Sequence, residues 1–227
     1  MSKSKRIQKL SAFFEKEKQY PITEAIELAK KTGKKKFDET VEAHIRLGID
    51  PKKGDQQVRG TVVLPHTFGE SKKIAAFVPQ DRDKEAKEAG ADVVYTEDNI
   101  KELIKSGKID FDIAISMPEM MKSLAPLAKV LGPKGLMPSP KNDTITQDLK
   151  KTIAELKKGK IAYKNDDSAN IHQAIGKASM DNANLEENYT AFITSVKSSK
   201  PESSKGIFVR GITLCTTMGP GIKLELE

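Results

Sequence analysis

The sequence predicts a fold of mixed class, α/β and α+β, in two domains, and three observations carry that expectation. Between Lys73 and Leu131, short apolar runs alternate with charged helical stretches, the pattern of parallel strands joined by crossovers. Before Leu64 and after Gly159, half-buried strands stand beside amphipathic helices, an α+β style with an antiparallel sheet. Charge divides the same way. Residues 68–158 hold 16 Lys+Arg and 15 Asp+Glu, and the flanking residues hold 23 and 17, so +6 of the net +7 belongs to the chain ends. An inserted middle domain, hung from crossings near Pro65–Gly69 and Lys157–Lys160, explains this. Two sequential domains also fit the residue pattern, which leaves both arrangements open.

In chain order, Met1 to Lys18 reads as a Lys-rich, partly helical arm with a Phe13-Phe14 anchor. Pro21 to Lys31 reads as a helix with Ile22, Ala25, Ile26, Leu28 and Ala29 on its apolar face, and Gly33 ends it. Val41 to Leu47 alternates apolar and polar residues as a half-buried strand, and Val58 to Leu64 is a second strand. The middle predicts strands at Lys73–Val78, Asp92–Tyr95 and Phe111–Ile115. It predicts helices at Asp81–Ala89, Asn99–Ser106, Pro118–Leu131 and Thr146–Lys158. After Gly159, Ile161–Lys164 is a short strand, Ile171–Ile175 and Leu185–Val196 read as helices, and Ile207–Cys215 is the last strand.

Composition excludes several classes. No run of about 18 apolar residues occurs, so nothing reads as a membrane span. The basic start, Met1 to Lys9, is not followed by an apolar segment of secretory type. The single cysteine, Cys215, excludes an intramolecular disulfide framework, fits a reducing compartment and reads as a buried thiol in a strand. The basic ends favour a polyanionic partner.

The rival reading is an α/β enzyme using a nucleotide in the middle domain, and no motif in the chain assembles one. A dinucleotide site needs a G-x-G-x-x-G turn after the first strand of the α/β unit. Here Phe77-Val78 leads into Pro79-Gln80-Asp81, without glycine. Leu131-Gly132-Pro133-Lys134-Gly135-Leu136-Met137-Pro138-Ser139-Pro140 lacks P-loop spacing and reads as a structured connection. His44, His66 and His172 show no metal spacing and have no cysteine nearby in sequence, so no metal and no cofactor is expected. Asp110 and Asp112 flank Phe111 at a strand and read as its solvated end rather than as an acid–base pair.

Three stretches suit a nucleic acid. Lys34-Lys35-Lys36-Phe37 joins phosphate-binding charge to a stacking aromatic. Tyr163-Lys164-Asn165-Asp166-Asp167-Ser168 is a polar turn read as strand to helix, in which Asp166 caps the helix or accepts from a 2′-hydroxyl or base amine. Thr216-Thr217-Met218-Gly219-Pro220-Gly221 breaks a β-branched strand with a loop nearly bare of side chains. Its backbone groups are expected to stand open, with Thr217 adding a hydroxyl and Met218 an exposed apolar group.

Taken together, KKFDETVE at Lys35–Glu42, RLGIDPKKGDQQVRGTVVLPH at Arg46–His66, LGPKGLMPSPK at Leu131–Lys141, NIHQAIGKAS at Asn170–Ser179 and TMGPG at Thr217–Gly221 resemble the bacterial form of the L-one family of large-subunit ribosomal proteins. The likeness runs from near residue 35 to the C-terminus. It implies an α+β RNA-binding domain from residues 1–67 plus 159–227 and an inserted Rossmann-like parallel-sheet domain at residues 68–158. It implies no catalysis and no cofactor. The implied partners are large-subunit ribosomal RNA, exit-site tRNA and the protein's own messenger RNA. The implied setting is cytoplasmic and ribosome-associated, with a monomer off the ribosome and no membrane. The implied RNA-binding residues are Lys36, Phe37, Thr40, Lys164, Asp166, Ser168, His172, Thr217, Met218, Gly219, Pro220 and Gly221. The chain departs from the family pattern at Asp166-Asp167-Ser168-Ala169, where Asp-Lys-Ala-Gly is usual. It departs again at Thr67-Phe68-Gly69-Glu70 for Gly-Thr-Gly-Lys, and at Lys141-Asn142-Asp143-Thr144 for Lys-Val-Gly-Thr.

Overall fold

The computed structural model describes residues 6, 10, 13–15, 17–33, 37–69, 72–106 and 109–226. The fold is mixed α/β, with both parallel and antiparallel sheets. Contacts gather the chain into two compact units, Met1–Gly69 with Ile161–Glu227, and Glu70–Lys160.

The first unit is built on a four-stranded antiparallel sheet. Helix α1 (Ile22–Thr32) precedes strand β1 (Thr40–Leu47), and β2 (Arg59–Val63) follows. In β1, Val41, Ala43, Ile45 and Leu47 are buried while Glu42, His44 and Arg46 point to the other face, as the period of two requires. The later elements of this unit are β6 (Lys160–Lys164), β7 (Asn170–Lys177), α7 (Asn182–Ser198), β8 (Val209–Thr216) and β9 (Ile222–Leu224). The sheet order is β7-β1-β8-β9, and β2 pairs with β6. Helices α1 and α7 cover the apolar face of the large sheet. The α7 contribution is Leu185, Tyr189, Phe192, Ile193 and Val196, a helical stripe that joins one core with α1 and the strands. Asn188 is fully buried in that stripe. Its amide donates to the Ile175 and His66 carbonyls, both at 2.8 Å, and its oxygen accepts from the His66 N–H at 2.9 Å, which makes its burial tolerable.

Residues 171–175 are part of strand β7, not the helix expected there. Ile171 and Ile175 are four apart, which suits one helix face and equally suits one strand face. Pairing with β1 decides the matter, with His44 opposite His172 and Ile45 opposite Ile171. Ile171 and Ile175 both reach the core, and the bulge opposite Val41 and Glu42 leaves Ile175 unpaired, so that the adjacent Ile175 and Gly176 are both buried. The turn before β7 therefore joins strand to strand. Strand β9, three residues beyond the Gly-Pro-Gly break, was not expected either. Of the expected Phe13-Phe14 anchor only Phe14 is buried in this core, and Phe13 is exposed; the arm expected over Met1–Lys18 falls largely outside the described residues.

In the second unit, β3 (Ile74–Phe77), β4 (Val93–Tyr95) and β5 (Ile113–Ser116) form a parallel sheet in the order β4-β3-β5. β3 is buried along its whole length, as the centre of a parallel sheet is. Helices α2 (Asp83–Glu88), α3 (Glu97–Ser106), α4 (Met121–Leu124), α5 (Ala128–Leu131) and α6 (Leu149–Lys157) connect and follow the strands. Phe77 stacks on Tyr95 with centroids 5.1 Å apart, and Phe111 closes the ring cluster edge-on. Phe111 thus lies just before β5 rather than in it. The Asp112 carboxylate accepts the Lys73 N–H at 3.0 Å and Asp110 pairs with Lys73 Nζ at 3.1 Å, so these two acids fix the start of β3. The Gly132–Pro140 connection turns Leu136 and Met137 onto the core of this unit and buries Pro138.

Candidate nucleic-acid interface

The apolar face of the large sheet lies under helices. Its other face carries Glu42, His44 and Arg46 from β1, Asn170, His172 and Ala174 from β7, and Gly211, Thr213 and Cys215 from β8, by cross-strand register. The expected site residues lie at the two ends of this face.

At one end, β8 and β9 form a hairpin whose loop is Thr217–Gly221. This loop is tied to the start of β1. The Thr217 N–H donates to the Thr40 carbonyl at 3.0 Å. The Thr217 hydroxyl accepts the Thr40 N–H at 3.1 Å and donates to the Thr40 carbonyl at 3.3 Å. The Met218 N–H reaches Glu39 Oε2 at 3.4 Å, the Gly219 N–H reaches the Thr216 carbonyl at 2.9 Å, and the Arg6 guanidinium donates to the Met218 carbonyl. The expectation of a backbone open to a partner is therefore corrected: these three amides are spent inside the protein, because the hairpin end is sewn to β1. What faces outward is side chain. Met218 is 43% exposed and Phe37, just before β1, is 50% exposed. Gly219 is required for close approach, since a Cβ there would sit 2.3 Å from Thr216 Oγ1. Pro220 is half-buried and Gly221 is exposed. The Thr40 hydroxyl accepts from Lys177 Nζ at 2.9 Å, which adds a cation to this end. Lys36 lies outside the described residues.

At the other end is the turn between β6 and β7. Asn165 is buried, accepts the Val58 N–H at 2.8 Å and donates to the Asp166 carbonyl at 2.9 Å. The Asp166 carboxylate accepts from the Ser168 N–H at 2.9 Å and the Asn170 N–H at 2.6 Å. These bonds, that from Asn170 first, hold its pKa below the usual carboxylate value. Asp166 thus caps a strand-to-strand turn rather than a helix, and its oxygens are largely committed there. Ala169, where the family pattern has Gly, takes a left-handed φ of 62°. Lys164 and Ser168 are exposed.

The two ends are far apart. Asn170 and Lys177 are seven residues apart on β7, roughly 23 Å at about 3.3 Å per residue. His172 lies between them, on the open face. Its Nδ1 is 2.7 Å from His44 Nδ1, and its Nε2 is 3.4 Å from Asp166 Oδ2. Burial, then the neighbouring His172, lowers the His44 pKa, and Glu42 opposes this. Cys215 is only partly buried and belongs to this face, not to the core as expected. Burial, with Glu42 and Glu39, pushes its thiol up to about 11. The residues between the two ends, Glu42, His44, Arg46, Thr213 and Cys215, were missed as site residues. Alternation in β1 gives the first three, but a helix over residues 171–175 leaves the face without a second row, and only the β1–β7 pairing supplies it.

Among the described residues, no helix is long and apolar enough to cross a membrane. Comparison with protein families gives a match over residues 28–220 to the Ribosomal protein L1p/L10e family, ribosomal proteins that bind ribosomal RNA within the ribosome. That stretch contains β1, β7 and β8, the turn before β7, the hairpin loop as far as Pro220 and the whole parallel-sheet unit. The match spans most of the chain, and the chain belongs to the Ribosomal protein L1p/L10e family.

Proposed function

We propose that the open face of the β7-β1-β8-β9 sheet is where this protein holds large-subunit ribosomal RNA, with residues 1–67 plus 159–227 as the binding domain. Residues 68–158 are then a Rossmann-like insertion. The observation that carries this reading is the hairpin end, where Met218 and Phe37 stand exposed beside a network of neutral hydrogen bonds centred on Thr40 and Thr217. A partly apolar surface bearing hydroxyls beside one cation, Lys177, suits a ribose edge, because 2′-hydroxyls are read by neutral donors and acceptors while phosphates need cations. Arg46, opposite Asn170, and Lys177, opposite Thr40, supply cations at the two ends of the face. Bound in this way, the protein forms the mobile stalk beside the tRNA exit site and assists release of deacylated tRNA. Off the ribosome it is a monomer that binds a similar fold on its own messenger RNA and represses translation. The protein catalyses nothing in this reading; it works by complementarity to a folded RNA.

Filter-binding titrations at several salt concentrations test this, with fragments of large-subunit ribosomal RNA set against an unrelated RNA of equal length. Preference for one folded fragment, retained at high salt, is expected. Equal affinity for both RNAs at every salt concentration would refute a specific site.

A further inference from the structure

We propose that Glu42, His44 and Cys215 form a site for a divalent cation of the zinc class, in the middle of the open face. The proposal rests on strand register and side-chain geometry, not on the RNA reading. In the β1–β8 ladder Glu42 stands directly opposite Cys215, and His44 is two residues further along the same face. One ligand atom from each of the three lies within 4.8 Å of the others. His44 Nε2 is 3.0 Å from Cys215 Sγ and 3.8 Å from Glu42 Oε2. A tetrahedral zinc ion with bonds of about 2.3 Å to sulfur and about 2.0 Å to nitrogen or oxygen separates these pairs by about 3.5 and 3.3 Å. The two pairs that include His44 each need to move by only about half an ångström, and the Glu42–Cys215 pair already lies within 4.8 Å. Imidazole, thiolate and carboxylate together suit zinc rather than magnesium or calcium, which prefer oxygen alone.

The surroundings orient the imidazole as metal sites do. A ligating histidine donates its other ring N–H to a neighbouring acceptor. Here His44 Nδ1 lies 2.7 Å from His172 Nδ1 and His172 Nε2 lies 3.4 Å from Asp166, so the tautomers with protons on His44 Nδ1 and His172 Nε2 make His44 donate to His172 and His172 to the carboxylate. That tautomer leaves the His44 Nε2 lone pair facing Cys215 and Glu42. Without a cation, the thiol proton occupies the gap as an S–H donor to Nε2. Binding sends that proton to solvent and leaves thiolate, neutral imidazole and carboxylate as three ligands, with a fourth position for water. His172 is a positioning residue, one bond removed from the ion.

Cobalt(II) and zinc(II) added to the full-length protein test the proposal. One Co²⁺ per chain is expected, with a thiolate-to-cobalt charge-transfer band that Zn²⁺ removes by displacement. Cys215→Ser should abolish the band. His44→Gln and Glu42→Gln should weaken Co²⁺ binding at least tenfold, and His172→Gln by about tenfold. His66→Gln, at a histidine paired elsewhere with Glu187, should leave it unchanged. Alkylation of Cys215 in the unaltered protein needs no variant to fold, and saturating Zn²⁺ should slow it at least tenfold. The proposal is overturned by absence of a thiolate band, by a band that survives Cys215→Ser, by one lost in His66→Gln, or by an alkylation rate that Zn²⁺ does not change.

Discussion

Thr217→Val replaces a hydroxyl by a methyl on the β8–β9 hairpin and keeps the β-branch, so shape is preserved. A hydroxyl has one proton and two lone pairs. In the free protein the proton goes to the Thr40 carbonyl and one lone pair takes the Thr40 N–H. One lone pair remains, so toward RNA this hydroxyl acts as an acceptor, suited to a ribose 2′-OH. The substitution then has two separable costs. In the free protein both partners are exposed and rehydrate, and loss of such bonds costs about 0.5–1.5 kcal/mol of stability. In the complex, a 2′-OH buried without an acceptor costs about 1–3 kcal/mol, a rise in Kd of roughly 5- to 150-fold. Thr217→Ser keeps the hydroxyl and should bind within about threefold of the unaltered protein, since only packing is altered. Filter binding, paired with urea melts of each variant, separates the costs. The reasoning fails if Thr217→Val binds RNA normally, or if the Ser and Val variants lose affinity equally. A large loss of stability with unchanged affinity would make the Thr217–Thr40 link purely structural.

Met218→Ala should weaken RNA binding by about 1–2 kcal/mol through lost apolar contact and leave the melting curve in place, because this side chain is 43% exposed in the free protein; a lowered melting temperature would contradict it. Arg46→Ala should reduce affinity and flatten the plot of log Kd against log salt by about one counterion, whereas neither Thr217→Val nor Met218→Ala should change that slope. Asp166 should titrate below its ordinary value of 3.8, measurable by carboxyl NMR. Because its folded pKa is depressed, its stabilisation is full above the unfolded value and is lost as pH falls through the folded one, so a midpoint at or above 3.8 would refute the turn's hold on it. Cys215 in metal-free protein should show an alkylation rate rising with pH toward a midpoint at about 11, and a midpoint near that of a free thiol would show that burial on the open face is not felt.

Much of the fold was legible because periodicity is local. Glu42, His44 and Arg46 alternate with Val41, Ala43, Ile45 and Leu47, and no tertiary information is needed to read a half-buried strand there. The parallel strands of the second unit were legible for the same reason, since β3 is apolar throughout and bounded by polar segments. Residues 170–177 were not legible. Ile171 and Ile175 satisfy both periods, and only the partner strand chooses between them. Strand β9 failed differently: three residues after a Gly-Pro-Gly break give no period, and β9 exists because β8 offers Ile212 and Leu214 as partners to Leu224 and Ile222.

The site was legible as a set of segments but not as a surface. Thr40 and Thr217 do come together, through bonds between residues 177 positions apart that no local pattern encodes, and this brings the segments carrying Phe37 and Met218 to one end of the sheet. Asp166 and Ser168 do not join them; they lie at the opposite end of the sheet. A single nucleotide cannot touch both ends, so an RNA contacting every expected residue must run some 20 Å along the strands, several nucleotides at about 3 to 6 Å each. It would then cross Arg46, His172 and the Glu42–His44–Cys215 group. One consequence follows for reading affinity. Substitutions at the two ends share no partner and should add in free energy, whereas Thr217 and Thr40 share their hydrogen bonds and should not. A double substitution, Thr217→Val with Ser168→Ala, should therefore cost the sum of its parts within about 0.5 kcal/mol. Strong coupling between them would mean that the RNA, or the sheet beneath it, changes shape when either end is released.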